Sequence, residues 1–141
     1  MQAKPFTLVL VEDDDVDAET VERCLAQGRI ANPLVRARDG IEALEMLRGT
    51  NGRSRLQPPY LFLVDIRMPR LDGIGFIHAV RADPELATTV IIVLTTSDSD
   101  RDRVAAQHAQ VAGYLLKSHT DDELLPLAKM LRYHLLIMPE N

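Results

Sequence analysis

Acidic, hydroxyl and ammonium groups stand just beyond the apolar runs of this chain of 141 residues. Glu12 and Asp13 follow Leu8 to Val11, Asp65 follows Leu61 to Val64, Thr95 follows Val90 to Leu94, and Lys117 follows Tyr114 to Leu116. Carboxylates brought together cannot all stay ionised without help, so Glu12, Asp13 and Asp65 predict a bound cation. Lys117 and Thr95 predict an anion facing it. Magnesium takes octahedral oxygen ligands and keeps several waters, so Asp13 and Asp65 plus a phosphate oxygen would satisfy it. The metal would draw charge from an incoming phosphoryl group, leaving Asp65 to attack while Lys117 and Thr95 stabilise the transferred oxygens. The product would be an aspartyl phosphate.

The elements that must position these groups can be read from the same runs. Five apolar stretches, the four above and Leu34 to Ala37, mostly lack polar alternation. Such strands belong to parallel sheets covered on both faces, and helical patterns separate them. The chain therefore reads as α/β, an open doubly wound sheet of flavodoxin-like strand order 2-1-3-4-5. In that order strands one and three are neighbours at the switch point, which brings Glu12 and Asp13 beside Asp65.

Capping signals bound the helices. Asp14 or Asp15 opens the first and Gly28 closes it, Asp39 with Glu42 opens the second and Gly49 ends it, and Asp72-Gly73 opens a third that stops near Asp83-Pro84. Ser99 with Asp102 opens a fourth, within the charged run Asp98 to Arg103 that reads as a solvated helix start. Thr120 with Glu123 predicts a capping box for the last helix, with Pro126 forcing a bend or a later start. Gly49 to Pro59, rich in Gly, Arg, Asn, Ser and Pro, reads as a surface loop.

Composition bounds the function. The length fits one domain, apolar residues make up 46% and charged residues 26%, and the formal net charge is −5, which argues against a nucleic-acid binder. Cys24, spaced with Val16, Val21 and Leu25, reads as a buried helix thiol in a reducing setting. Neither a signal peptide nor a membrane span is visible, so a cytoplasmic location is expected. His78, His108, His119 and His134 lack metal spacing.

The last helix carries two apolar stripes. Leu124, Ala128, Leu131 and Leu135 would face the sheet, while Met130, Tyr133 and Ile137 would need a partner. Residues from about 120 to 141 are therefore a candidate dimerisation element, with a symmetric homodimer as the expected assembly.

Taken singly, these residues have blander readings: Asp13 to Asp15 as helix caps, Asp65 as a turn residue before Met68-Pro69, Lys117 as a solvent lysine and Tyr114 as core. Their order and their placement at strand ends favour the joint reading. The segments around Glu12-Asp13, Asp65-Ile-Arg67-Met-Pro69, Thr95-Thr-Ser97 and Tyr114-Leu-Leu-Lys117 resemble the receiver domains of two-component response regulators over nearly the whole chain. That resemblance implies Asp65 as phosphoacceptor, Asp13 as direct Mg²⁺ ligand, Glu12 acting through metal-bound water, and the Arg67 backbone carbonyl completing the shell. It further implies a switch formed by Thr95 and Tyr114, and a role for Arg67 and Ser97 in screening attacking water. It implies a sensor histidine kinase as partner and no turnover beyond the protein's own phosphorylation and slow dephosphorylation, while 141 residues are too few for a receiver-like unit plus an output domain, so none is expected.

The long loop before strand three, Val-Leu-Thr95-Thr-Ser97, and Ser118 after Lys117 are similar to stand-alone regulators that partner phytochrome-type kinases. Ser118 stands where most receivers have proline, leaving the isomer of the Lys117-Ser118 bond open. Three other functions fit parts of the chain. A phosphate sink or relay would use the same Asp65. A haloacid-dehalogenase-like phosphatase would use Asp13-x-Asp15 but has no room for a cap domain. A flavodoxin fails because Glu12 to Asp15 would repel a flavin phosphate.

Overall fold

The structure is a computed structural model, described over residues 6–96, 110–133 and 135–139. Five strands, β1 (Thr7–Val11), β2 (Leu34–Ala37), β3 (Tyr60–Asp65), β4 (Ile91–Thr95) and β5 (Gly113–Leu116), form one sheet. Its order is β2-β1-β3-β4-β5, and every pairing is parallel, as the apolar runs required. Among the described residues four helices accompany it: α1 (Asp15–Gln27), α2 (Gly40–Arg48), α3 (Gly73–Ala82) and α4 (Thr120–Met130), the last preceded by a 3₁₀ turn at Lys117–His119.

Side-chain alternation splits the sheet between two cores. Val9, Val11, Phe62, Val64, Ile91 and Val93 pack with Ala43, Leu47, Phe76 and Val80 of α2 and α3. Leu8, Leu10, Leu61, Leu63, Ile92 and Leu94 pack with Val21 and Leu25 of α1 and Leu124 and Ala128 of α4. Each fully buried Leu or Ile contributes roughly 1.5 to 3 kcal/mol, so both helical layers hold the strand ends in register.

The first three helix starts follow the expected chemistry. Asp14 accepts hydrogen bonds from the backbone N–H of Val16 and Asp17 at 2.8 and 3.0 Å. Asp39 accepts from Glu42 N at 2.9 Å, and Asp72 from Gly75 N at 2.8 Å. Gly49 closes α2 in the left-handed region at φ 70°. The fourth expected helix start, with Ser97, Ser99, Asp102 and His108, lies outside the described residues, as does His134.

Four expectations are corrected. Val16, on the first turn of α1, is 69% exposed although Cys24, Val21 and Leu25 are buried. The capping box at α4 does not form. Thr120 is already helical and donates to Lys117 O at 2.8 Å, while the Glu123 carboxylate accepts from Leu116 N at 2.7 Å. Of the two effects expected of Pro126, the later start does not occur, since the helix runs from Thr120 with the proline inside it.

The fourth correction is the largest. Met130, Tyr133 and Ile137 form no helical stripe, since α4 ends at Met130 and Arg132 turns the chain in the left-handed region at φ 62°. Tyr133 packs its ring edge-on to Phe6 at 4.8 Å and donates its hydroxyl to Tyr60 O at 3.3 Å. The tail then runs back along residues 29–32, with an antiparallel bridge between Ile30 and Ile137. Ala31 N donates to Leu136 O, and Met138 N to Arg29 O. Leu135 is buried in the α1–α4 layer.

Candidate functional site

The four chemical strand ends meet at the carboxyl edge of the sheet, in a cleft of about 200 Å³. Its lining includes Glu12, Asp13, Asp17, Asp65, Arg67, Thr95 and Lys117. Carboxylate oxygens of Glu12, Asp13 and Asp65 lie within 4.8 Å of one another. Glu12 and Asp65 are buried and Asp13 is half-buried, so repulsion among them is poorly screened by water. Three hard oxygen donors at this spacing, with an open side, suit a divalent cation that keeps its remaining waters.

Lys117 enters from the end of β5 and is almost fully withdrawn from solvent. Its Nζ lies 2.7 Å from Glu12 Oε1, 2.8 Å from Asp17 Oδ2 and 3.2 Å from Asp65 Oδ1. Burial opposes its charge, but hydrogen bonds to Asp17 and Glu12 and the nearby Asp65 charge outweigh that, holding the ammonium's pKa above its ordinary value. Burial acts the other way on Glu12. Withdrawal from water, reinforced by Asp65 and only partly relieved by Lys117, pushes its carboxyl up to about 8.

Backbone packing fixes Asp65. A Cβ on Gly73, the first residue of α3, would collide with the Asp65 carbonyl oxygen, and Gly73 N donates to Ile66 O at 3.0 Å. The loop between them is held from α2 as well, where Gly40 N donates to Leu71 O at 3.0 Å and Asp39 pairs with Arg70 Nε at 3.0 Å. The β1–α1 turn is braced by Arg36, whose Nε donates to Glu12 O at 3.0 Å and whose Nη1 donates to Asp15 Oδ1 at 2.8 Å. Those guanidinium contacts, with Arg38, hold the Asp15 carboxyl below the usual carboxylate range.

Thr95 is buried and donates its hydroxyl to Leu115 O at 3.4 Å. Tyr114, on the same strand as Leu115, is half-buried against the α2–α3 core, and partial desolvation pushes its phenol pKa up. The Lys117–Ser118 peptide is trans. Met130 and Ile137 are exposed, whereas Tyr133 is engaged within its own chain.

Two site residues escaped the sequence reading. Asp17 had no signal of its own, since Asp13 precedes α1 and only the fold brings Lys117 to the first turn of that helix. Arg36 had none, because only the pairing of Leu10 with Arg36 across β1 and β2 places it under the turn.

A parallel doubly wound sheet with clustered acids and a buried lysine at its switch point defines a class of α/β domain built to hold a cation and an anion together. Within that class, the chain belongs to the response regulator receiver domain family, which matches residues 8–129. Response regulator Rcp1 of Synechocystis sp. is 30% identical over 125 residues, covering 89% of this chain and 85% of that protein. A solved Mn²⁺-bound form of Rcp1 superposes with a TM-score of 0.71 at 26% identity, covering 96% of this chain and all of that one. The bacteriophytochrome response regulator AtBRR superposes at 0.85 with 26% identity, over 98% of this chain and 100% of that chain. The phosphorylated cyanobacterial phytochrome response regulator RcpA superposes at 0.69 with 28% identity, over 92% of both chains.

The chain is thus a receiver-domain response regulator of two-component signalling with phytochrome-associated neighbours. Receiver domains accept phosphate from sensor histidine kinases, bind Mg²⁺ at an acidic pocket, and act generally as signalling switches. Nothing in these comparisons supports the phosphatase alternative. Among the described residues, no helix is long and apolar enough to cross a membrane.

Proposed function

We propose that Asp65 accepts a phosphoryl group from the phosphohistidine of a sensor kinase, in a Mg²⁺-dependent reaction, and that this receiver domain signals through the change of state that follows. The observation that carries this reading is the Lys117 ammonium bridging Glu12, Asp17 and Asp65 at the same strand edge. An Asp65 carboxylate oxygen forms a bond to phosphorus as the phosphorus–nitrogen bond of the donor breaks, and the histidine nitrogen leaves with that electron pair. Asp13 and Asp65 would ligate Mg²⁺ directly, Glu12 through water and Arg67 through its carbonyl, and the metal would neutralise charge on the transferring group.

Thr95 and Tyr114 form the switch in this account. Thr95 exchanges its bond to Leu115 O for a phosphoryl oxygen, and the space it vacates lets the Tyr114 ring turn inward. Likeness to AtBRR and RcpA supports a phytochrome-type kinase as the donor. Homodimerisation stays in the reading through Met130 and Ile137, which are 69% and 49% exposed, but no longer through Tyr133. A cytoplasmic site of action is consistent with a kinase donor.

Phosphotransfer from a ³²P-labelled phytochrome-type histidine kinase tests the whole reading. Label should pass to the wild type and not to Asp65→Asn, and should need Mg²⁺. Label on Asp65→Asn, or transfer without metal, would contradict it. Rapid return of label to a second histidine protein would favour the relay alternative, and light scattering of the same samples would test the dimer.

A further inference from the structure

We propose that Asp17 is a positioning residue that holds the Lys117 ammonium for the phosphoryl group, an inference that rests on the phosphoacceptor reading of Asp65. A lysine ammonium has three N–H donors, and here three carboxylates surround it: Glu12, Asp17 and Asp65. Phosphorylation changes one of them. When an Asp65 oxygen bonds to phosphorus, the negative charge moves from the carboxylate to the phosphoryl oxygens and the other Asp65 oxygen becomes a neutral carbonyl. The donor now shared with Asp65, through the longest of the three contacts at 3.2 Å, is the one released to a phosphoryl oxygen.

Glu12 and Asp17 remain beside the ammonium at 2.7 and 2.8 Å, but they are not equivalent. Glu12 is fully buried and belongs to the acidic cluster, so the metal competes for its charge. Asp17 lies outside that cluster, 41% exposed on the first turn of α1, where the helix N-terminus favours a negative charge whether or not Lys117 is near. It therefore keeps its grip on Lys117 when Mg²⁺ binds. The Asp17 side chain takes no part in capping α1, since Asp14 supplies the cap, so its replacement leaves the helix start intact.

The experiment compares wild type, Asp17→Ala, Asp17→Asn and Lys117→Ala for autophosphorylation by acetyl phosphate at saturating Mg²⁺, alongside Mg²⁺ affinity, Tm and hydrogen exchange of the Lys117 ammonium by NMR. Asp17→Ala should slow phosphorylation about fivefold and speed ammonium exchange, with Mg²⁺ affinity and Tm near wild type. Asp17→Asn keeps an acceptor oxygen and should fall between. A rate for Asp17→Ala equal to or above wild type, unchanged ammonium exchange, or a parallel loss of Mg²⁺ affinity would overturn the inference. The two ideas fail separately. A wild type that takes up no phosphoryl group contradicts the phosphoacceptor reading, whereas normal phosphorylation of both Asp17 variants contradicts this inference alone.

Discussion

Lys117 Nζ lies 2.7 Å from Glu12 Oε1, and the two side chains are 8% and 0% exposed. One buried cation thus serves three carboxylates that lie as many as 105 residues before it in the sequence, and it balances the cluster before any metal arrives. Above about pH 8, where Glu12 is ionised, Lys117→Ala should lower the stability of the metal-free protein by about 3 kcal/mol, since breaking a buried pair leaves an uncompensated acid. Mg²⁺ should then raise the melting temperature of Lys117→Ala more than that of wild type, because the metal replaces the missing charge. Thermal unfolding with and without Mg²⁺ measures both effects, and an equal Mg²⁺ response in the two proteins would contradict the charge-balance argument.

Glu12 sets a pH dependence. Its carboxyl is raised from 4.5 to about 8 on folding, chiefly by burial, so between those values the folded state holds a proton that the unfolded state has released. The sign follows: the stability of the metal-free protein falls as pH rises from 4.5 towards 8. A divalent cation needs the ionised form, so Mg²⁺ affinity should climb across that interval and level off above it. Calorimetry in two buffers of different ionisation enthalpy, run from about pH 6 to about pH 9, should find protons released on binding only at the lower end.

Gly73→Ala should disturb both fold and site. The added Cβ would collide with the Asp65 carbonyl, which is backbone and cannot swing aside. We expect a loss of about 2 kcal/mol or more together with weakened Mg²⁺ binding, since the same peptide carries Asp65, the proposed phosphoacceptor. Gly52→Ala is the control, because nothing lies within 4 Å of that Cβ; its positive φ of 78° should cost about 1 kcal/mol of stability without touching the metal.

Asn32 fastens the tail. Its Nδ2 donates to Phe6 O at 3.0 Å and its Oδ1 accepts from Leu136 N at 2.7 Å, with the residue 7% exposed. Asn32→Ala should cost about 1 to 3 kcal/mol by stranding buried backbone groups, and should raise amide exchange at Leu136 and Met138 while leaving the strand-end cleft unchanged. Hydrogen exchange read by mass spectrometry separates the two regions.

Sequence alone went far with the fold because its signals were local. Apolar runs gave the strands, and Asp14, Asp39 and Asp72 cap their helices through their own short side chains. The strand order then brought Glu12, Asp13, Asp65, Thr95 and Lys117 to one edge. Failures came where distant partners decided. Glu123 looked like half of a capping box, but Leu116 N takes its carboxylate. Helical spacing continued through Tyr133 and Ile137, although Arg132 had already turned the chain and Phe6 offered Tyr133 a better neighbour. The Asp17 contact with Lys117 spans 100 residues, and no periodicity reports a contact of that kind.

The most direct test of the central claim is intact mass after incubation with acetyl phosphate, with and without Mg²⁺, on wild type and Asp65→Asn. A single phosphoryl adduct that appears only when both Mg²⁺ and Asp65 are present is the predicted result. An adduct that persists in Asp65→Asn, or one that forms as fast in the presence of a chelator, would contradict it.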